Sequence, residues 1–110
     1  VRHRIKLWLE QEGQQVFGDG LYHLLTLIHR YGSIRQAAED MKMSYRHAWG
    51  TVKKAEERLG VTLLHKKTGG ESGGGARLTP EAEDLIFKYR EFRHQVEKFA
   101  AERFAEYFDR

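Results

Sequence analysis

Between residues 33 and 60 two helical patterns, each with its own start signal, are separated by only a few residues, and this limits what the chain can fold into. The first opens on Ser33-Ile34-Arg35-Gln36, a capping box in which serine and glutamine side chains satisfy free amides reciprocally. Ala37, Ala38 and Met41 form its inner side, and the small alanines allow a neighbouring helix to approach closely. After a Lys42-Met43 turn, Ser44 caps a longer pattern running to about Leu59, with Gly60 as its stop. On a helical wheel Tyr45, Ala48, Val52, Ala55 and Leu59 share one side, with Trp49 at its edge. The opposite side shows Arg46, His47, Gly50, Lys53, Lys54 and Glu57. A short helix, a tight turn and a longer basic helix make a helix-turn-helix.

The flanking segments complete one compact design. Ile5, Leu7 and Leu9 alternate with Lys6, Trp8 and Glu10, the period of a strand with one buried face. With Glu12-Gly13 as a two-residue turn, Leu9 is expected opposite Val16 and Trp8 opposite Phe17. Asp19 is expected to cap a helix carrying Leu21, Leu24, Leu25 and Ile28, ended by Gly32. Val61 to Leu64 reads as a strand, Thr68 to Gly75 as a glycine-rich loop and Ala76 to Leu78 as a returning strand, which together make a wing. Thr79-Pro80 starts a last helix that continues to about Phe108.

That helix spans roughly 40 Å at 1.5 Å per residue, which overhangs a domain of this size. Leu85, Tyr89, Phe92, Val96, Phe99 and Phe104 lie along its apolar side and are expected to form the seam of a homodimer. The alternative is a helix folded back on its own domain, which a break near Ala100 would support. The expected fold is mainly α with a small β component: a hairpin over residues 1–18, a three-helix core over 20–60, a wing over 61–79 and a dimerisation helix over 80–108, all in one domain over 1–110.

Charge is distributed unevenly. Residues 30–79 hold ten basic and five acidic side chains, net +5, against 0 for residues 1–29 and −2 for residues 80–110. A central basic block suits a polyanion, while a solvated face is the simpler reading of such a bias. Cysteine is absent, so no disulfide or thiolate metal site can form. No apolar run approaches the roughly 20 residues of a bilayer span, and the expected location is cytoplasmic, away from membranes.

The element Met43-Ser44-Tyr45-Arg46-His47-Ala48-Trp49, the loop Thr68-Gly69-Gly70-Glu71-Ser72-Gly73-Gly74-Gly75-Ala76 and the pair Leu78-Thr79 carry a resemblance. From Ile5 to about Tyr89 the chain resembles the amino-terminal DNA-binding domain of the ModE-type molybdate-responsive transcriptional regulators, a relative of the LysR-type winged helix-turn-helix. The resemblance implies dimerisation through the amino-terminal strands and the long carboxy-terminal helix, and a link to molybdenum metabolism. Lys42 stands where the family commonly has glycine, and Ala82 replaces another common glycine. The family's separate molybdate-binding region is absent from this chain, so no cofactor is expected here.

Recognition helices present their amino-terminal residues to base edges, which makes Ser44, Arg46, His47 and Gly50 the candidate readers of double-stranded DNA. A guanidinium at Arg46 can bond guanine in a bidentate manner, worth roughly 1–3 kcal/mol of discrimination. Tyr45 can reach a phosphate while packing its ring, and Lys53 and Lys54 are long enough for backbone contacts. Trp49 is read as packing rather than base stacking. Gly50, at about 1 kcal/mol in a helix interior, marks either close approach or a helix weakness. Gly73 and Gly74 let backbone lie against the duplex, with Lys66, Lys67 and Arg77 as counter-charge, a simple flexible loop being the alternative.

No enzyme is expected. The glycine run lacks the Gly-Lys-Ser/Thr ending of a phosphate-binding loop, and the six histidines form no metal motif. The function expected is sequence-specific DNA binding in transcription regulation. The alternatives are a winged-helix protein-interaction module and non-specific architectural DNA binding.

Overall fold

A computed structural model describes residues 1–67 and 75–109. The first elements are the antiparallel strands β1 (Trp8–Gln11) and β2 (Gln14–Gly18). Glu12 and Gly13 join them at φ 52° and 78°, the two left-handed residues that a tight hairpin turn of matching twist requires. Gln11 faces Gln14 and Glu10 faces Gln15, but a bulge then places Leu9 opposite Phe17 and Trp8 opposite Gly18. The expected pairs Leu9 with Val16 and Trp8 with Phe17 are therefore each displaced by one residue. The bulge has a packing reason: consecutive residues of a regular strand point to opposite faces, yet Val16 and Phe17 are both buried.

Helix α1 (Asp19–Tyr31) follows directly. Asp19 is not its cap, as the sequence suggests, but its first residue: Gly18 occupies the cap position without a side-chain hydrogen bond. The Asp19 carboxylate turns instead to α4 (Pro80–Phe108), where it meets Tyr89 and Arg93. Leu21, Leu24, Leu25 and Ile28 are all buried, and Gly32 ends the helix at φ 66°.

Helix α2 (Ile34–Asp40) is capped by Ser33, whose Oγ accepts the Gln36 amide at 3.1 Å. Helix α3 (Tyr45–Leu59) is capped in the same way by Ser44 from the His47 amide, and Gly60 stops it at φ 73°. Between the two, Lys42 sits at φ 56°, in the region where an L side chain is strained.

The wing is an antiparallel pair, β3 (Leu64–Lys67) and β4 (Gly75–Leu78), with Leu64 opposite Leu78. The strand expected from Val61 begins only at Leu64. Glu56 on α3 accepts the amides of Leu63 at 2.7 Å and Leu64 at 3.2 Å, so these groups are bound to the helix rather than to a ladder. At the far end of the wing the Ala76 amide donates to the Gly32 carbonyl at 2.9 Å. A Cβ on Gly75 would stand 3.0 Å from that oxygen, a tight contact that favours glycine there.

Helix α4 is capped by Thr79, whose Oγ1 accepts the Ala82 amide and whose hydroxyl donates to the Thr62 carbonyl at 2.7 Å. It runs unbroken through Ala100 to Phe108, so the break that would support a folded-back helix does not occur. Its Ala82, Ile86 and Tyr89 join one buried cluster drawn from all three preceding helices and from β2, β3 and β4.

Two outcomes follow. Burial raises the affinity of Glu56 for a proton, but the Leu63 and Leu64 amides and Lys53 outweigh it, so its carboxyl lies below the ordinary 4.5. Its ionised form thus stabilises the fold fully above the unfolded value, and this contribution is lost as pH falls through the folded value. Glu56→Gln will lower the unfolding free energy by about 1–2 kcal/mol at neutral pH, and urea titrations will show the gap to wild type closing in acid. Lys42→Gly will raise the unfolding free energy by about 1 kcal/mol by relieving the left-handed lysine, read by the same titration.

Candidate nucleic-acid interface

Ala48, Val52 and Ala55 bury one side of α3 completely or nearly so. Arg46, His47, Gly50, Lys53 and Lys54 are exposed on the other, with Glu57 among them. Ser44 is exposed but engaged as the cap. Among the described residues, a Cβ on Gly50 would meet nothing within 4 Å, so none of them requires glycine at that position.

The edge of α3 nearest the wing is built from aromatic rings and cations. Lys66 Nζ stands 4.6 Å from the ring centre of Trp49 and 5.5 Å from that of Tyr45. Lys53 Nζ lies 4.7 Å from the Trp49 ring, and the Arg35 guanidinium 5.3 Å from the Tyr45 ring. Each ring attracts cations through its quadrupole and so limits the wandering of long side chains. Trp49 is half-buried against the core, as expected of packing, and in addition is the platform on which two lysines rest. Arg35 was not identified from the sequence: its position three residues after the cap residue Gly32 carries no signal that it will reach Tyr45 across the turn.

Lys66 and Lys67 on β3 and Arg77 on β4 are exposed beside this edge. Gly73 and Gly74 lie outside the described residues. On the other edge of α3 a cleft of about 660 Å³ separates it from the hairpin and the start of α1. Arg46, His47, Gly50, Lys54 and Arg58 line one wall, Gln15, Gly18 and Gly20 the other, and among the described residues no carboxylate lines it. Arg58, also missed in the sequence, donates to the Gln15 carbonyl at 2.8 Å and ties the hairpin to the end of α3. The site therefore presents a positive ridge with a cleft on one side and a wing on the other, a shape that admits a strand of polyanion on each side. Among the described residues no group of three or more His, Asp or Glu side chains is placed to hold a metal ion. Among the described residues, no helix is long and apolar enough to cross a membrane.

The expected seam on α4 divides in two. Phe92 and Phe99 are 50% and 63% exposed, so their rings are uncovered, with Val96 half-buried between them. Phe104 is half-buried against His3, with ring centres 4.8 Å apart. Leu85 packs against the core. Tyr89 corrects the expectation: at 2% exposure it belongs to the chain's own core. Its ring packs edge-on against Phe17, and its hydroxyl donates to Asp19 at 2.5 Å, close to the Leu7 carbonyl. Burial, then the Asp19 carboxylate, holds the phenol well above its ordinary pKa. Helical spacing alone cannot separate a residue facing its own core from one facing a partner.

Residues 21–83 match the family described as bacterial regulatory helix-turn-helix protein, lysR family. The chain is 37% identical over 78 residues to the molybdenum transport protein ModE of Herbaspirillum seropedicae, covering 71% of this chain and 29% of that protein. It is 38% identical over 77 residues to the DNA-binding transcriptional dual regulator ModE of Escherichia coli, covering 69% of this chain and 29% of that one. The chain thus spans less than a third of the length of these relatives. Its fold is similar to that of ZitR from Lactococcus lactis, with a TM-score of 0.59 at 19% identity over 98% of this chain and 73% of that one.

The aromatic platform yields a separable outcome. Trp49→Leu will weaken binding to duplex DNA by about five- to tenfold while leaving the slope of affinity against salt unchanged, because the lysines remain but are no longer positioned. Fluorescence anisotropy at several salt concentrations checks both quantities.

Proposed function

Because the chain belongs to the bacterial regulatory helix-turn-helix proteins of the lysR family, we propose that it binds double-stranded DNA sequence-specifically as a homodimer and regulates transcription, in genes connected with molybdenum. The observation that carries this reading is α3 itself. Its buried side is committed to the core by Ala48, Val52 and Ala55, and its exposed side offers Arg46 and His47 in the first turn and Lys53 and Lys54 behind them. First-turn residues read base edges and the later lysines meet phosphates, which separates sequence preference from general affinity.

The homodimer rests on the uncovered rings of Phe92 and Phe99 on α4. A two-fold pair presents two α3 helices about one helical turn of DNA apart, which calls for a palindromic site. The connection with molybdenum rests on the names of the relatives, and no residue of this chain is assigned to molybdate. A lysR-family regulator of this kind works by occupying DNA and not by catalysis.

Binding-site selection from a random duplex library, followed by footprinting, will return two half-sites related by a dyad. Arg46→Ala will relax preference at one position of each half-site, by roughly 1–3 kcal/mol, with little change on random duplex. Lys66→Ala will weaken binding to all sequences and reduce the salt slope by about one. Equal losses on specific and random DNA for Arg46→Ala would remove the reading role given to it.

A further inference from the structure

The core ends early along α4. After Tyr89 the helix continues for nineteen residues to Phe108, and no residue in that stretch is buried. Among the described residues, this overhang meets the rest of the chain through the ring of Phe104 against that of His3, 4.8 Å between centres, and through a single ion pair, Arg93 Nη2 to Asp19 Oδ2, at 3.1 Å. One turn earlier, the Tyr89 hydroxyl donates to the other oxygen of the same carboxylate.

Two side chains a helical turn apart thus grip a single carboxylate. One contact on a helix is a pivot, whereas two contacts separated along a rigid helix fix its tilt and its rotation about its own axis. The carboxylate belongs to the first residue of α1, the helix packed against α2 and α3. Arg93 is itself held in plane by Glu97, which accepts from Nε at 2.9 Å. Its Nη1 is buried and has no hydrogen-bond partner. A buried unsatisfied N–H is unfavourable, and a methionine would fill similar space without it. Packing alone does not account for an arginine here.

We propose that Asp19, Tyr89 and Arg93 are positioning residues that set the angle between α4 and the α3 reading helix, and through it the half-site spacing that a homodimer accepts. The proposal rests on the reading of the chain as a DNA-binding homodimer. The uncovered Phe92 and Phe99 lie on the overhang, so the angle at the joint determines where the two heads stand. From Arg93 to Phe108 the helix extends roughly 22 Å, so a tilt of about 10° moves its end by about 4 Å. That is on the order of the 3.4 Å rise of one base step.

Tyr89→Phe removes the hydroxyl and keeps the ring that packs against Phe17, while Arg93→Met removes the ion pair and keeps the stem. The full chain and both variants are measured by sedimentation for mass, on a duplex holding one selected half-site, and on duplexes whose two half-sites are respaced by one base pair in either direction. Wild type is expected to lose about tenfold in affinity on respacing, and the variants less than about threefold, because a loosened joint adapts to both spacings. Dimer mass and single half-site affinity stay unchanged in the variants. Spacing profiles that superimpose on that of a dimeric wild type overturn the joint and leave the homodimer reading standing. A wild-type chain that is monomeric on a two-half-site duplex, or binds no duplex at all, overturns that reading and the joint with it.

Discussion

Burial of the apolar side of α1 is the constraint on which the other elements depend. Leu24, Leu25 and Ile28 are fully enclosed, and α1 touches α2, α3, α4, β2 and β4. Each neighbour takes its position from that surface. The alanines at 37, 38, 48 and 55 are small where α2 and α3 meet, so the two helices can close over α1 without leaving voids. Removal of apolar area from water supplies the non-directional part of this assembly. Direction comes from a few polar ties at the element ends, of which Glu56 and Asp19 do the most: one joins α3 to the wing, the other joins α1 to α4.

Much of this architecture is legible in the residues because its start and stop signals are local. Ser33, Ser44 and Thr79 each accept an amide three residues on, and Gly32 and Gly60 stop their helices in the left-handed region. Such signals involve a handful of neighbouring atoms and survive being read in one dimension. What is not legible depends on tertiary partners. The bulge at Leu9 and Glu10 exists because Val16 and Phe17 are both drawn into the core. Asp19 reads as a cap until its carboxylate is seen to serve Tyr89 and Arg93, seventy residues and more away.

The candidate site divides along the same line. Arg46, His47, Lys53 and Lys54 share an exposed side because helical geometry requires it, once the apolar side is known. Lys66 and Arg35 arrive from other elements, and nothing in their local sequence announces that they rest on Trp49 and Tyr45. An edge made of aromatic rings holds its cations with little loss of hydration, since the charged heads stay near water while the stems lie on carbon. The positive ridge is thus partly organised before any polyanion reaches it.

The contact between Gly32 and the far end of the wing's paired strands carries a consequence for mutation. A side chain at position 75 crowds the carbonyl of residue 32, and residue 32 holds that carbonyl in place through a backbone bend at φ 66°. Forty-three residues apart in the chain, a helix stop and a strand start meet at one oxygen, so a substitution at residue 75 acts on the end of α1 as well as on the wing.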